Sequence, residues 1–251
     1  MDALRYGWWH FLFIGGAVTS FLFLVFTLFN IPLTPVSLLL MGFLFLSVFI
    51  LDIILMPLRV VKDFHHGRYP ASIKGTKFLF AFTLKKEKKA AFSLNLAAGY
   101  LAMGNYEEGG AYLKQVDRGF LKEDLKAVWE NNYANFILGI GGNPEEALKI
   151  CDQAVASGFH NPSFHSTRGL ALLRLKRFDD AIAEFCRSME VGLQGPAELS
   201  ETYYHLGRVW EKKGDIAYAR DHFLKAINVA PESRYGRYAA EQLRADSRIR
   251  S

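Results

Sequence analysis

Cysteine is scarce in this chain, and so is charge in one long stretch. Only two cysteines, Cys151 and Cys186, occur in 251 residues. A chain of this size does not need cross-links to hold a core, so the count fits a reducing compartment and excludes a disulfide framework. No CxxC pair and no Cys/His set at metal-ligand spacing is present. His65 and His66 are adjacent, not at the i, i+4 spacing that lets two imidazoles on a helix share a metal, and His160 and His165 merely flank Pro162. The sequence also lacks a nucleophile elbow, a phosphate-binding glycine loop and a paired-carboxylate motif. It therefore reads as a non-enzyme with no cofactor and no metal; a membrane enzyme built on the histidines near residue 65 is the weakest alternative.

Ionisable acids and strong bases are missing from residues 8–57 except for Asp52. Trp8 to Asn30 is 23 residues long and Val36 to Met56 is 21. Each is long enough to cross a hydrocarbon layer of roughly 30 Å at about 1.5 Å per residue. Both are too long for the apolar core of a cleaved signal peptide, which runs roughly 7–15 residues. Tyr6, Trp8 and Trp9 form an aromatic start of the kind found at interfaces. Pro32 and Pro35 break the helix between the spans, so residues 1–57 are expected to form an antiparallel transmembrane hairpin. Two polar side chains fall inside it, His10 and Asp52, at similar depth. Intramembrane ionisable groups are functional candidates; the plainer reading has Asp52 reaching the interface or Arg59. Gly15, Gly16 and Ser20 form a small-residue face suited to helix contact.

The net charge of +5 is concentrated. Residues 58–90 hold nine Lys or Arg against Asp63 and Glu87, a local balance of 9 − 2 = +7. Because this excess directly follows the apolar stretch, it points to lipid and topology and not to nucleic acid. The turn between the spans has no Lys or Arg, so both termini are expected on the cytoplasmic side of a cell inner or plasma membrane. Residues 58–82 read as a basic juxtamembrane linker, since Gly67, Pro70 and Gly75 oppose one continuous helix. Lys77 to Thr83 is apolar and aromatic and either lies along the membrane surface or packs on the first helix of the next domain. Lys85, Lys86, Lys88 and Lys89 are candidates for anionic lipid headgroups.

Residues 83–251 carry a repeat. Leu206-Gly207, Trp210, Gly214-Asp215, Ala219, Phe223, Ala226 and Pro231, with Tyr203 ahead of them, resemble the tetratricopeptide repeat family at each of these positions. Small residues at 207 and 219 let two helices approach, Trp210 and Phe223 fill the remaining space, and Pro231 stops the second helix. Gly169, Leu172, Phe178, Ala181 and Phe185 form a second copy. Leu138, Gly142-Asn143, Ala147, Cys151 and Ala154 form a third, and Leu96-Ala97, Tyr100, Gly104-Asn105, Gly109 and Leu113 a fourth. Cys151 thus reads as a buried structural thiol, and Asn143 as a helix cap. Spacings of 38, 34 and 38 residues between Ala219, Ala181, Ala147 and Gly109 place four-residue insertions near 117–123 and 192–196. Arg168 stands where the family has an apolar residue. Residues 234–248 read as the capping helix that a solenoid needs. The fold class is all-α: a two-helix hairpin, then an α-solenoid of about four helix pairs plus a cap.

The resemblance implies that a protein partner lies on the concave face, lined by the first helix of each pair. Carried onto this chain, that geometry selects Trp129, Asn132, Tyr133 and Phe136, then Thr167, Leu170 and Leu173, then Tyr204, His205 and Arg208. Trp129, Tyr133 and Phe136 have the character of an apolar anchor; the competing reading packs them between repeats. The Lys/Asn clamp of chaperone-binding relatives is absent at the matching positions. A two-span anchor followed by repeats is also similar in layout to bacterial envelope proteins of the HemY type. The expected function is a membrane-anchored adaptor or scaffold. The alternative is an accessory subunit of a membrane complex that packs through its hairpin.

Overall fold

The structure is a computed structural model that describes residues 34–159, 161–192 and 195–245, with Gly16, Ala17, Ser20, Phe21, Leu24 and Val25. The first expected span, with His10, lies outside the described residues apart from those six, and so does the side chain of Asp52. The described residues form eleven α-helices and one 3-10 turn. Helix α1 is Pro35–His65 and α2 is Tyr69–Ala81. Then come four pairs: α3 Lys86–Met103 with α4 Tyr106–Gln115, α5 Glu123–Gly139 with α6 Pro144–Ala156, α7 Pro162–Arg174 with α8 Phe178–Glu190, and α9 Pro196–Lys213 with α10 Ile216–Val229. Helix α11, Arg234–Ala245, closes the array.

Thr34 starts α1: its hydroxyl accepts the backbone N–H of Ser37 at 3.2 Å, and Pro35 fills the first helical position. The helix continues through Pro57 and ends only at Gly67, whose φ of +73° reverses the chain. The expected linker over 58–82 is therefore helical on both sides of one tight turn. Gly67 does break the helix, but Pro70 sits in the first turn of α2, where its missing N–H costs nothing. Along α1 most of the described apolar side chains are bare: Leu39 is 74% exposed, Phe43 71% and Leu58 67%. Burial begins at Met56 and Val60, where α2 packs. Among the described residues no helix is long and apolar enough to cross a membrane; the side chains of Phe45, Val48, Phe49 and Asp52, within α1, are not among them.

The four pairs repeat one packing device. Ala219, Ala181 and Ala147 are fully buried and Gly109 is buried, as the register requires. One turn on, the second helix presents Leu113, Cys151, Phe185 and Phe223, each 2% exposed or less. On the first helix Ala97 shares a core cluster with Leu113 and Ala134 one with Cys151, while Gly169 and Gly207 lie against the two rings. Glycine occurs where phenylalanine does: a Cβ on Gly169 would meet the Phe185 ring at 2.8 Å, and one on Gly207 the Phe223 ring at 2.7 Å. Turns repeat too. Gly104 and Gly214 take left-handed φ values of +82° and +87°, and Asn105 and Asp215 then cap the next helix. The third pair has Lys176 at this position, held at φ +60° without the freedom of glycine.

Arg168, the misfit in the third pair, is explained by a polar bridge. Its guanidinium reaches Asp152 at 2.6 Å and the buried Glu184 at 2.7 Å, and Glu184 also meets His165 Nδ1 at 2.8 Å. The position is an ion pair between repeats instead of an apolar contact. Cys151 lies fully buried in the central cluster, and burial pushes its thiol up to about 12.

Gly169→Ala and Gly207→Ala should each lower stability by about 1–3 kcal/mol, because a methyl group there displaces a fully buried ring. Urea unfolding of the two variants measures this. Gly141→Ala meets nothing within 4 Å, so any loss there comes from its φ of +74° alone.

Candidate functional site

The first helices of the four pairs, α3, α5, α7 and α9, line a concave face. That face is closed into a cavity of about 350 Å3 by two further elements. On one side the α1–α2 turn enters it. His65 Nδ1 lies 3.0 Å from both carboxylate oxygens of Glu198 on α9, and Glu198 also accepts the backbone N–H of Gly195 at 2.6 Å. Two glycines make this contact possible. A Cβ on Gly67 would stand 3.1 Å from the Cβ of Ala197, and one on Gly195 would meet the backbone oxygen of His65 at 2.6 Å.

On the other side the last helix reaches the first pair. The guanidinium of Arg234 donates to Ala102 O at 3.4 Å and to Tyr106 Oη at 3.2 Å, while its Nε donates to Tyr238 Oη at 3.2 Å. The same group lies over the rings of Tyr106, Tyr235 and Tyr238, at 5.7, 5.3 and 5.3 Å from their centroids. Burial works against its charge, but Tyr235, Tyr238 and Tyr106 outweigh that and hold its pKa above the ordinary arginine value. The superhelix thus bites its own tail.

The cavity lining sets polar groups among apolar ones such as Phe64, Leu101 and Phe164. Helix α5 offers Val128, Asn131, Asn132 and Asn135, an i, i+3, i+4, i+7 face. Helix α7 offers Ser166, Thr167 and Leu170, and α9 offers Glu198 and Glu201. Asn132 is buried and donates to Leu94 O at 3.4 Å. Asn131 is only 6% exposed, and its Oδ1 has no hydrogen-bond partner; such an orphan in a native interior calls for an explanation. No Lys or Arg lines the cavity among the described residues. Tyr69 and Tyr235 face the acids as neutral phenols. Burial raises both pKa values first; the Glu201 carboxylate adds to that for both, and Glu198 for Tyr69.

A second pocket of about 670 Å3 adjoins the first at Leu170. It is lined by Leu173, Tyr204 and His205 and by four cations, Arg174, Lys176, Arg208 and Lys212, with no acid among its lining. His205 stacks on Phe185 at 5.7 Å between ring centroids.

Of the ten residues expected on this face, Asn132, Thr167 and Leu170 line the cavity, and Leu170, Leu173, Tyr204, His205 and Arg208 line the second pocket. Trp129, Tyr133 and Phe136 do neither. They lie about one residue's rotation round α5, facing α4: Trp129 Nε1 donates to Leu113 O at 3.1 Å, its indole stacks on Tyr133, and the Phe136 ring covers Gly110. The aromatic anchor is an inter-repeat contact, because the stripe at 128, 131, 132 and 135 is the one turned inward. Asn131, Asn135, Arg174 and Lys212 went unnoticed in the sequence. Tyr204, Arg208 and Lys212 form an i, i+4, i+8 stripe that was available to find the last of them. Lys85, Lys86 and Lys88 are exposed at the start of α3, with Lys89 half-buried. Among the described residues no group of three or more His, Cys, Asp or Glu is placed to hold a metal ion.

Residues 200–233 match the tetratricopeptide repeat family. The chain is similar in fold to a thermophilic TPR protein from Thermus thermophilus, at 17% identity and a TM-score of 0.53, over 73% of this chain and 95% of that one. A second similar structure is YrrB, a TPR protein with an unusual peptide-binding site, at 15% identity and a TM-score of 0.41, over 72% of this chain and 88% of that one. No curated protein matches the chain.

Arg234→Gln should lower stability by about 1–3 kcal/mol, the cost of removing charge-assisted hydrogen bonds and leaving their acceptors behind. Arg237→Gln, which loses a bond to Glu232 O on an exposed site, should stay within about 0.5 kcal/mol. Chemical unfolding separates the two. The tyrosines set an alkaline limit. Both have raised pKa values in the fold, so the stability they contribute is complete below the unfolded value near 10 and lost as pH rises beyond it. Melting temperature should hold to about pH 10 and then fall, and Tyr69→Phe should soften the fall.

Proposed function

We propose that this chain is a membrane-tethered adaptor that holds an extended segment of a partner protein in its concave face. The observation that carries the reading is the buried, unpartnered Oδ1 of Asn131 at a preformed cavity. An amide oxygen left without a donor costs free energy, and a backbone N–H from a bound segment supplies that donor. The two adjoining pockets differ in charge, Glu198 and Glu201 in one and four cations in the other. A segment running through both meets acid first and base second, so it carries a basic or neutral residue followed by an acidic one. The likeness to tetratricopeptide proteins, whose repeats generally bind proteins, supports the class of function. The tether is α1: a helix with Leu39, Phe43, Ile54 and Leu58 bare to solvent has no stable place in water. Together with the uncharged stretch before residue 30 it forms the membrane hairpin, with the repeats on the cytoplasmic side, an arrangement similar to the HemY-type layout.

The test is affinity capture of the full-length protein in detergent, read by mass spectrometry. Asn131→Leu removes the orphan oxygen and should leave stability unchanged or higher while the partner is lost. Arg174→Glu with Lys212→Glu should lose the same partner. If both variants keep it, the concave face is not the receptor and the accessory-subunit reading, with the hairpin as interface, takes its place.

A further inference from the structure

We infer that the corner between α2 and α3 is a second membrane contact, which enters an anionic lipid surface beside α1; this rests on the reading of α1 as a membrane helix. The corner is the most exposed apolar point of the described chain outside α1. Leu84 is 91% exposed and Phe82 66%, and the Phe82 ring packs only 4.8 Å from that of Phe78, so the two form one aromatic tip. Lys85, Lys86, Lys88 and Lys89 follow at once, with Glu87 the single acid among them.

Height along α1 decides what this tip meets. Helices α1 and α2 run antiparallel. The Phe64 and Tyr69 rings are 5.4 Å apart, Ser72 Oγ donates to Val60 O at 3.0 Å, and a Cβ on Gly75 would meet Val60 at 2.6 Å. From Gly75 to Phe82 the helix rises about 10 Å, and the same distance back along α1 from Val60 arrives near Ile53. That is inside the apolar run of α1, one turn before Met56 and two before Val60, the apolar residues buried where α2 packs. Helix α2 therefore ends at the level where α1 exposes Leu51, Ile54 and Leu55. Helix α3 then carries the chain away again, with Ile73 of α2 against Gly99 of α3.

A bilayer satisfies both halves of the corner. Phe78, Phe82 and Leu84 enter the boundary of the acyl chains, where aromatic and aliphatic side chains gain most from leaving water. The lysines lie at headgroup height, where each adds attraction to anionic lipid. Lys89 and Lys86 lean over the Phe80 and Phe120 rings, with Nζ 5.7 and 5.4 Å from the centroids. With α1, the corner gives two points of attachment and so fixes the tilt of the repeats relative to the membrane.

The experiment uses the full-length protein with Cys151→Ala and Cys186→Ser, reconstituted in vesicles of neutral lipid or of neutral lipid with phosphatidylglycerol. A polarity-sensitive fluorophore is attached to a single cysteine, either Leu84→Cys or Leu44→Cys, the second reporting the middle of α1. The expected result is blue-shifted emission quenched by brominated lipid at both positions, with the signal at 84 stronger in the anionic vesicles. Changing the four lysines to glutamine should abolish that difference between vesicles. Water-like emission at 84 with quenched emission at 44 overturns the corner contact and leaves the tether intact. Water-like emission at both positions overturns the tether, and the corner contact with it. Equal signals at 84 in both vesicle types overturn the anionic preference.

Discussion

Every pair in this solenoid depends on one steric constraint: the side chain on the second helix and its partner on the first must share a fixed space. Phenylalanine at 185 and 223 uses nearly all of it and leaves room for nothing but hydrogen at 169 and 207. Cysteine at 151 and leucine at 113 use less, and the residues packed with them are Ala134 and Ala97. Small partners at these positions let the second helix of each pair pack against the first, and the four first helices line a common space.

The same constraint explains what the sequence disclosed and what it hid. Repeat register was readable because small residues recur at positions 109, 147, 181 and 219, and each is buried. Helix caps were readable at Asn143 for the same local reason. The orientation of α5 was not. Trp129, Tyr133 and Phe136 are the most conspicuous residues on that helix, yet the inward face is the asparagine stripe one residue's rotation away. Without coordinates, nothing in the spacing of a helix sets its absolute rotation, and aromatic rings fit a gap between repeats as well as a groove. The turn at Lys176 was missed as well, since no glycine marks it.

Contacts between distant parts of the chain were beyond reach of any local pattern. His65 meets Glu198 across the array, and the glycines that permit this, Gly67 and Gly195, look like ordinary loop residues in sequence. The basic stretch over 58–82 holds the end of α1 and all of α2, and it ties α1 to the repeats, through α2 packed along it and through His65 at its end.

The meeting of Arg234 with Ala102 and Tyr106 has a consequence for how the protein comes apart. In an open solenoid each repeat leans only on its neighbours, so the ends fray first and unfolding spreads inward. Here Arg234 of α11 also holds the first pair, through Ala102 and Tyr106. Fraying of α11 frees those acceptors, and loss of the first pair frees Arg234. The repeats behave less like a stack of plates than like the staves of a hooped barrel, which stand or fall as a set.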